Sequence, residues 1–242
     1  MAQADWTAVT GSLSSGSLLQ GVTAGLTVPP GGGSFVYGFS ALDGAAGGAA
    51  LYANAVNYGP MATGGSVRGA IERLGGAGNT GFSPYFYICL QSLAMTAAAY
   101  MIGLTDSDPH RIVLMKAPAG VGLGGGCPAV AITQPPTQGV LAVSTQTYAV
   151  GTWLQVRLDA IVNQNGDTVL NCYQSDLTVG GASVALPTWI AIPGISQFID
   201  DVLQVNTGSA PLAGGYAGFG MTKAFASRRA CFDELEIIRQ TS

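Results

Sequence analysis

Residues 153–173 carry the pattern that most restricts the fold. Leu154, Val156 and Leu158 alternate with Gln155, Arg157 and Asp159, the period of two that sets one side of a strand on a core and the other toward water. Asn163-Gln164-Asn165-Gly166-Asp167 follows, a run of residues that tolerate the backbone angles of a tight turn. Residues 168–173 then resume as a β-branched and aromatic strand. A hairpin is predicted here, and the rest of the chain suits the same class. The 242 residues include 36 glycines and 12 prolines, which oppose long helices and favour short strands joined by turns. The glycines follow no three-residue period, so a collagen-like helix is excluded.

Further strands are predicted over residues 34–42, 50–58, 83–92, 98–105 and 110–117, from Val140 onward, and in the closing segments "YAGFGM" and "ACFDELEIIR". Residues 65–76 place Val67, Ile71 and Leu74 at helical spacing, but Gly69 interrupts them. That segment reads as one or two helical turns, or else as a strand. In the last strand, Phe232, Leu235 and Ile237 cannot share a face under strict alternation, and a bulge near Asp233 and Glu234 would reconcile them. Ten to a dozen strands with no dividing linker predict one all-β domain over residues 34–242 with long Gly-rich loops. Residues 1–33 are rich in Ser, Thr and Gly but keep Trp6, Val9, Leu13, Leu18, Leu19, Val22, Leu26 and Val28. They read as an extended N-terminal arm, or a first strand with loops, that orders against a neighbour.

Charge is sparse. Nine Lys and Arg and 13 Asp and Glu amount to 9% of residues, against about 25% in soluble domains. A folded chain of this size exposes roughly 10,000 Å², or one charge per roughly 450 Å². Either the core is unusually large or other subunits cover part of the surface, and the second is expected. A net charge of −4 with no basic cluster beyond Arg228-Arg229 gives no footprint for nucleic acid. The most apolar stretch, residues 93–104, is too short to span a bilayer. The opening "MAQADWTAVTGSL" has neither the basic nor the apolar region of a secretion signal.

Each chemical constellation has a simpler structural reading. Residues 76–81 match G-x-G-x-x-G by letter, but a strand leaves them where a phosphate-binding helix would be needed. Cys89, Cys127, Cys172 and Cys231 are widely spaced in apolar surroundings and read as buried free thiols. They and the single histidine, His110, do not form a zinc site. His110 should sit half wet at a strand start. The acids cluster as Asp106/Asp108, Asp200/Asp201 and Asp233/Glu234/Glu236, read respectively as a turn, a loop pair and part of the closing strand. No pairing marks them as the two carboxyls of glycoside cleavage, and none has the spacing of a calcium loop. Trp153 should open a strand and pack at an edge of the sandwich, and Trp189, in an apolar loop, could meet a sugar or a neighbouring subunit. No catalytic, cofactor or metal residue is assigned.

Taken together, "GTWLQVRLDAIVNQNGDTVLNCYQSD", "FIDD", "GGYAGFG" and "FDELEI" resemble the C-terminal half of the concanavalin A-like (laminin G-like) jelly-roll superfamily, over about the last ninety residues. "AAYMIGLTDSDPHRIVLMKAPAGVG" looks like the upstream strand, turn and strand of the same architecture. The E-x-D-x-x-E strand of glucanases with this fold does not occur, so the resemblance implies no inherited catalysis. With the charge-poor, Gly- and Ala-rich body, the style is similar to tailed-bacteriophage virion proteins. The implied expectation is a non-enzymatic virion structural component, a capsid decoration or a head- or tail-associated jelly-roll sandwich. It would be assembled in the host bacterial cytoplasm and touch copies of itself and other virion proteins, without nucleic acid, membrane or cofactor. The alternative is a lectin-like carbohydrate-binding module that attaches to a host surface glycan.

Overall fold

A computed structural model describes residues 6–10, 18–20, 35–39, 50–54, 64–74, 84–91, 97–105, 109–116, 140–165, 167–175, 188–200, 217–221 and 229–239. Among the described residues there are fifteen strands and no helix. In chain order they are β1 (Trp6–Thr10), β2 (Leu18–Gln20), β3 (Phe35–Phe39), β4 (Ala50–Asn54), β5 (Gly64–Leu74), β6 (Pro84–Gln91), β7 (Ala97–Leu104) and β8 (Ile112–Lys116). They continue as β9 (Val140–Val143), β10 (Trp153–Val162), β11 (Thr168–Ser175), β12 (Trp189–Ala191), β13 (Phe198–Asp200), β14 (Ala217–Met221) and β15 (Arg229–Arg239).

The strands form two antiparallel sheets. One is seven-stranded in the order β1-β4-β14-β6-β7-β8-β9, and the other is eight-stranded in the order β12-β11-β10-β5-β15-β3-β2, with β13 also pairing β11. The N-terminal segment gives one edge strand to each sheet, β1 against β4 and β2 against β3. The predicted hairpin is present: Val156 to Val162 pair with Gln174 to Thr168. Its turn is closed by the Asn163 side-chain oxygen, which accepts the backbone N–H groups of Asn165 and Asp167, each at 2.9 Å.

The core lies between the sheets. Leu154, Val156, Leu158 and Ala160 of β10, Val67 and Ile71 of β5, and Leu170 and Cys172 of β11 meet Phe86, Ile88, Tyr100, Ile102, Leu104, Ile112 and Leu114 from the other sheet. Each large apolar side chain fully removed from water contributes about 1.5–3 kcal/mol. Residues 64–74 resolve as strand: Val67, Gly69 and Ile71 face inward, in register with Leu158, Val156 and Leu154. Gly69 has a specific task. A Cβ there would lie 2.6 Å from Cζ of Phe86 and 3.1 Å from the Asp233 carbonyl oxygen. Phe86 therefore presses onto bare backbone and meets Phe232 edge to face at 5.4 Å.

Within the seven-stranded sheet, residues 100–104 of β7 and 112–116 of β8 are buried on both sides. Tyr85, Met101, Val113 and Met115 alternate with its core-facing residues, yet they are as hidden as the core. All five residues of β8 are buried, which is why "IVLMK" reads as a continuous run rather than an alternation.

Candidate functional site

The side of the eight-stranded sheet that faces away from the core gathers most of the described polar chemistry. Alternation along β10 sends Gln155, Arg157 and Asp159 to this side, and register does the rest. Arg157 lies directly opposite Tyr173 of β11 and Arg68 of β5. Arg68 in turn lies opposite Glu236 of β15, and Ser175 of β11 brings in Trp189 of β12. A row therefore crosses the sheet at right angles to the strands.

Its charges are matched pairwise. Arg157 clasps Asp159 through both nitrogens, Nε to Oδ1 at 2.6 Å and Nη2 to Oδ2 at 2.7 Å. Arg68 holds Glu236, with Nε to Oε2 at 2.8 Å and a second contact from Nη2. Each guanidinium also lies over an aromatic ring, Arg157 at 5.5 Å from the centre of Tyr173 and Arg68 at 5.9 Å from that of Trp189. Arg68 and Arg157 side chains keep 29% of their surface exposed, so the row is reached by solvent. Trp153 and Glu72, opposite each other in register, are buried where this face ends.

The predicted bulge sits beside this row. Asp233 pairs with Ala70 and Glu236 with Arg68, so Glu234 and Leu235 together oppose Gly69. Glu234 adopts a φ of 52°, a left-handed conformation that costs a non-glycine residue energy and recurs at functional sites. Its carboxylate accepts the Gln155 amide N–H at 2.9 Å. Asp233 Oδ1 accepts the Glu234 backbone N–H at 2.8 Å, while Oδ2 is buried with no hydrogen-bond partner among the described residues. Burial pushes the Asp233 carboxyl above its ordinary range, and the neighbouring Glu234 charge adds to this against the lowering effect of that N–H. Two adjacent carboxyls thus stand in different surroundings, Asp233 partly buried and Glu234 exposed.

A second polar cluster lies between the sheets. Lys116 and Asp200 form a buried ion pair, and the Tyr100 hydroxyl donates to the same Asp200 oxygen at 2.7 Å. Removing one partner from such a pair costs about 3–5 kcal/mol. Toward the other end of β11, the Tyr148 hydroxyl donates to Oε1 of Gln174, whose amide donates to Gln146 at 3.1 Å. Burial raises the Tyr148 phenol to about 12, opposed by the Gln174 hydrogen bond.

Several sequence expectations change in place or role. His110 is fully buried rather than half wet, because its backbone bridges Tyr148 and its ring stacks on that tyrosine at 6.2 Å. Trp153 opens β10 as expected and is buried at the end of that strand. Trp189 is on the edge strand β12, not in a loop. Asp200 is a strand residue in an intersheet ion pair, not half of a loop acid pair. Cys172 is a buried free thiol as expected, its pKa raised first by burial and then by the Asp159 charge. Asp106, Asp108, Asp201, Cys127 and residues 76–81 lie outside the described residues, as do the side chains of Trp6, Cys89 and Cys231. Glu236 was named only within the acid cluster of the closing strand, and Arg68 and Tyr173 were not picked out from sequence. Their only signal there is a polar position on an alternating strand. Among the described residues, no group of three or more His, Cys, Asp or Glu is placed to hold a metal ion.

An all-β protein of two antiparallel sheets, bearing an aromatic, guanidinium and carboxyl face, is thus defined. Its fold has a solved counterpart. The conserved carbohydrate esterase of the Shiga toxin-encoding bacteriophage phi24B superposes with a TM-score of 0.52 over 98% of this chain and 90% of its own, at 13% identity. A GH43 glycoside hydrolase engineered for endo-xylanase and exo-arabinofuranosidase activity overlaps 78% of this chain and 34% of its own, at 14% identity and a TM-score of 0.39, too loose a likeness to bear on this protein. No family model matches the chain, and no curated protein matches it in sequence. The phi24B likeness establishes a β fold shared with a phage protein. It also corrects the expectation of a non-enzymatic virion structural component. The solved protein that shares this fold is a carbohydrate esterase, and nothing in the comparisons supports a capsid or tail role.

Proposed function

We propose that the chain is a carbohydrate-processing protein and that the open row on the eight-stranded sheet is where a glycan meets it. The observation that carries this reading is the convergence on one sheet face of Trp189 and Tyr173, Arg68 and Arg157, and the carboxyls Asp233 and Glu234. Aromatic rings take the C–H face of a pyranose, and forked guanidinium and carboxylate groups take its hydroxyls. Asp233, which keeps its proton to higher pH than an ordinary aspartate, is the general acid toward a leaving oxygen. Glu234, steadied by Gln155, is the second carboxyl. That a protein of the same fold acts on carbohydrate accords with this, although fold alone does not assign chemistry. We also propose that the two sheets form a concanavalin A-like jelly-roll sandwich. Wholly antiparallel ladders support this, as do sheet orders that interleave early and late strands.

The test is a panel of plain and O-acylated polysaccharides, scored for binding and for released sugar or acyl group. The protein should bind and turn over at least one. Trp189→Ala should weaken binding, while Asp233→Asn should keep binding and lose about 10²–10⁴ in rate. Turnover undiminished in Asp233→Asn would remove the acid from this position, and a panel with no ligand at all would sink the reading.

A further inference from the structure

Lys116 ends β8 and Asp200 ends β13, so the two belong to different sheets and lie 84 positions apart in sequence. Each side chain is only 6% exposed. Lys116 Nζ contacts Asp200 Oδ2, an oxygen bonded to the carboxyl carbon. Tyr100, directly opposite Lys116 in the β7–β8 ladder, donates its hydroxyl to the same oxygen at 2.7 Å. Its ring centre lies 5.7 Å from Nζ. An amine, a carboxyl and a proton donor are therefore held together where water is scarce.

Burying two opposite charges recovers only part of their lost hydration. Passing one proton from Nζ to the carboxylate removes both charges and leaves a neutral amine against a carboxylic acid. Orientation of this kind replaces a bimolecular encounter with an intramolecular one, worth effective concentrations of about 10⁵–10⁸ M in well-aligned cases. Exclusion of water also withdraws the reactant that would reverse an amide-forming step.

We propose that Lys116 and Asp200 condense to an intramolecular isopeptide bond. The Nζ lone pair attacks the Asp200 carboxyl carbon, a C–N bond forms, and the bond from that carbon to Oδ2 breaks. Oδ2 leaves as water, carrying the proton first received from Nζ and a second one delivered by the Tyr100 hydroxyl. Tyr100 regains its proton from the attacking nitrogen, so it ends unchanged, and Oδ1 becomes the amide oxygen. One water is released, and no oxidant or reductant is needed. Tyr100 is suited to the relay because burial, foremost, holds its phenol protonated far above the usual range. The product is a covalent tie between the two sheets. Its basis is independent of the glycan reading, since none of the three residues lies on the open row.

The measurement is the intact mass of the purified, denatured chain, followed by peptide mapping. The expected mass is one water below that of the sequence, with a branched peptide joining the segments that hold Lys116 and Asp200. Lys116→Met should restore full mass. Asp200→Asn would expel ammonia instead, changing the deficit from one water to one ammonia. Tyr100→Phe should form the bond more slowly, seen as a mixture of both masses in freshly made protein. A wild-type chain at full sequence mass, with both residues recovered in separate unmodified peptides, overturns the proposal whether or not any variant folds.

Discussion

Asp233 shows how one residue can link stability to pH. Its folded pKa lies above the 3.8 of an unhindered aspartate, so folding favours the protonated form. The stabilising contribution is then complete below that reference value and is lost as pH rises through the folded pKa. Asp233→Asn keeps an acceptor for the Glu234 N–H but cannot ionise. Its thermal midpoint should match the wild type at acid pH and rise above it toward neutrality. Melts from pH 3 to 8 check this, and a constant difference would refute the burial argument. At this scale the sequence was partly readable. The bulge followed from three apolar residues that cannot share a face. The surroundings of His110 and Asp200 did not, because their partners Tyr148 and Lys116 come from distant parts of the chain.

Among the elements, the β10–β11 hairpin was legible because both strands alternate and the turn states its own chemistry. β5 was not. Val67, Ile71 and Leu74 fit a helical face as well as a strand, and only enclosure between β10 and β15 settles the matter. Gly69, which lowered the helical reading, is required by the strand for a different reason: the Phe86 ring and the backbone of the bulge both occupy its side-chain position. Gly69→Ala should therefore destabilise by about 1–3 kcal/mol through overpacking. Chemical denaturation would measure it, and a neutral result would mean that Phe86 can withdraw without cost. The same logic limits how much of the site could be foreseen. Gln155, Arg157 and Asp159 announce a polar face on β10, but Arg68 and Glu236 reach it only through the order β10-β5-β15. Those strands are far apart in sequence.

For the molecule as a whole, scarcity of charge had suggested surfaces covered by neighbours. The structure supplies an internal outlet for part of that apolar content, since Tyr85, Met101, Val113 and Met115 are buried on the side of β6, β7 and β8 that faces away from the core. The core draws on both sheets at once, and neither sheet can bury its apolar side alone. Unfolding should accordingly be a single cooperative event, with tryptophan fluorescence and far-ultraviolet circular dichroism changing at the same denaturant midpoint. Separate midpoints would show that one sheet survives without the other.

The bulge in β15 also acts as a spacer in the count of residues. Because two residues there oppose one, Glu236 remains outside and Ile237 inside, in step with Arg68 and Val67. A chain shortened by one residue at position 234 would pair regularly and leave every downstream neighbour where it is. The same deletion made at Phe232 would consume the spare residue and turn Asp233 toward the core. Evolution or a protein engineer thus has one place in this strand where length can change without turning its ends inside out, and it coincides with the carboxyl pair.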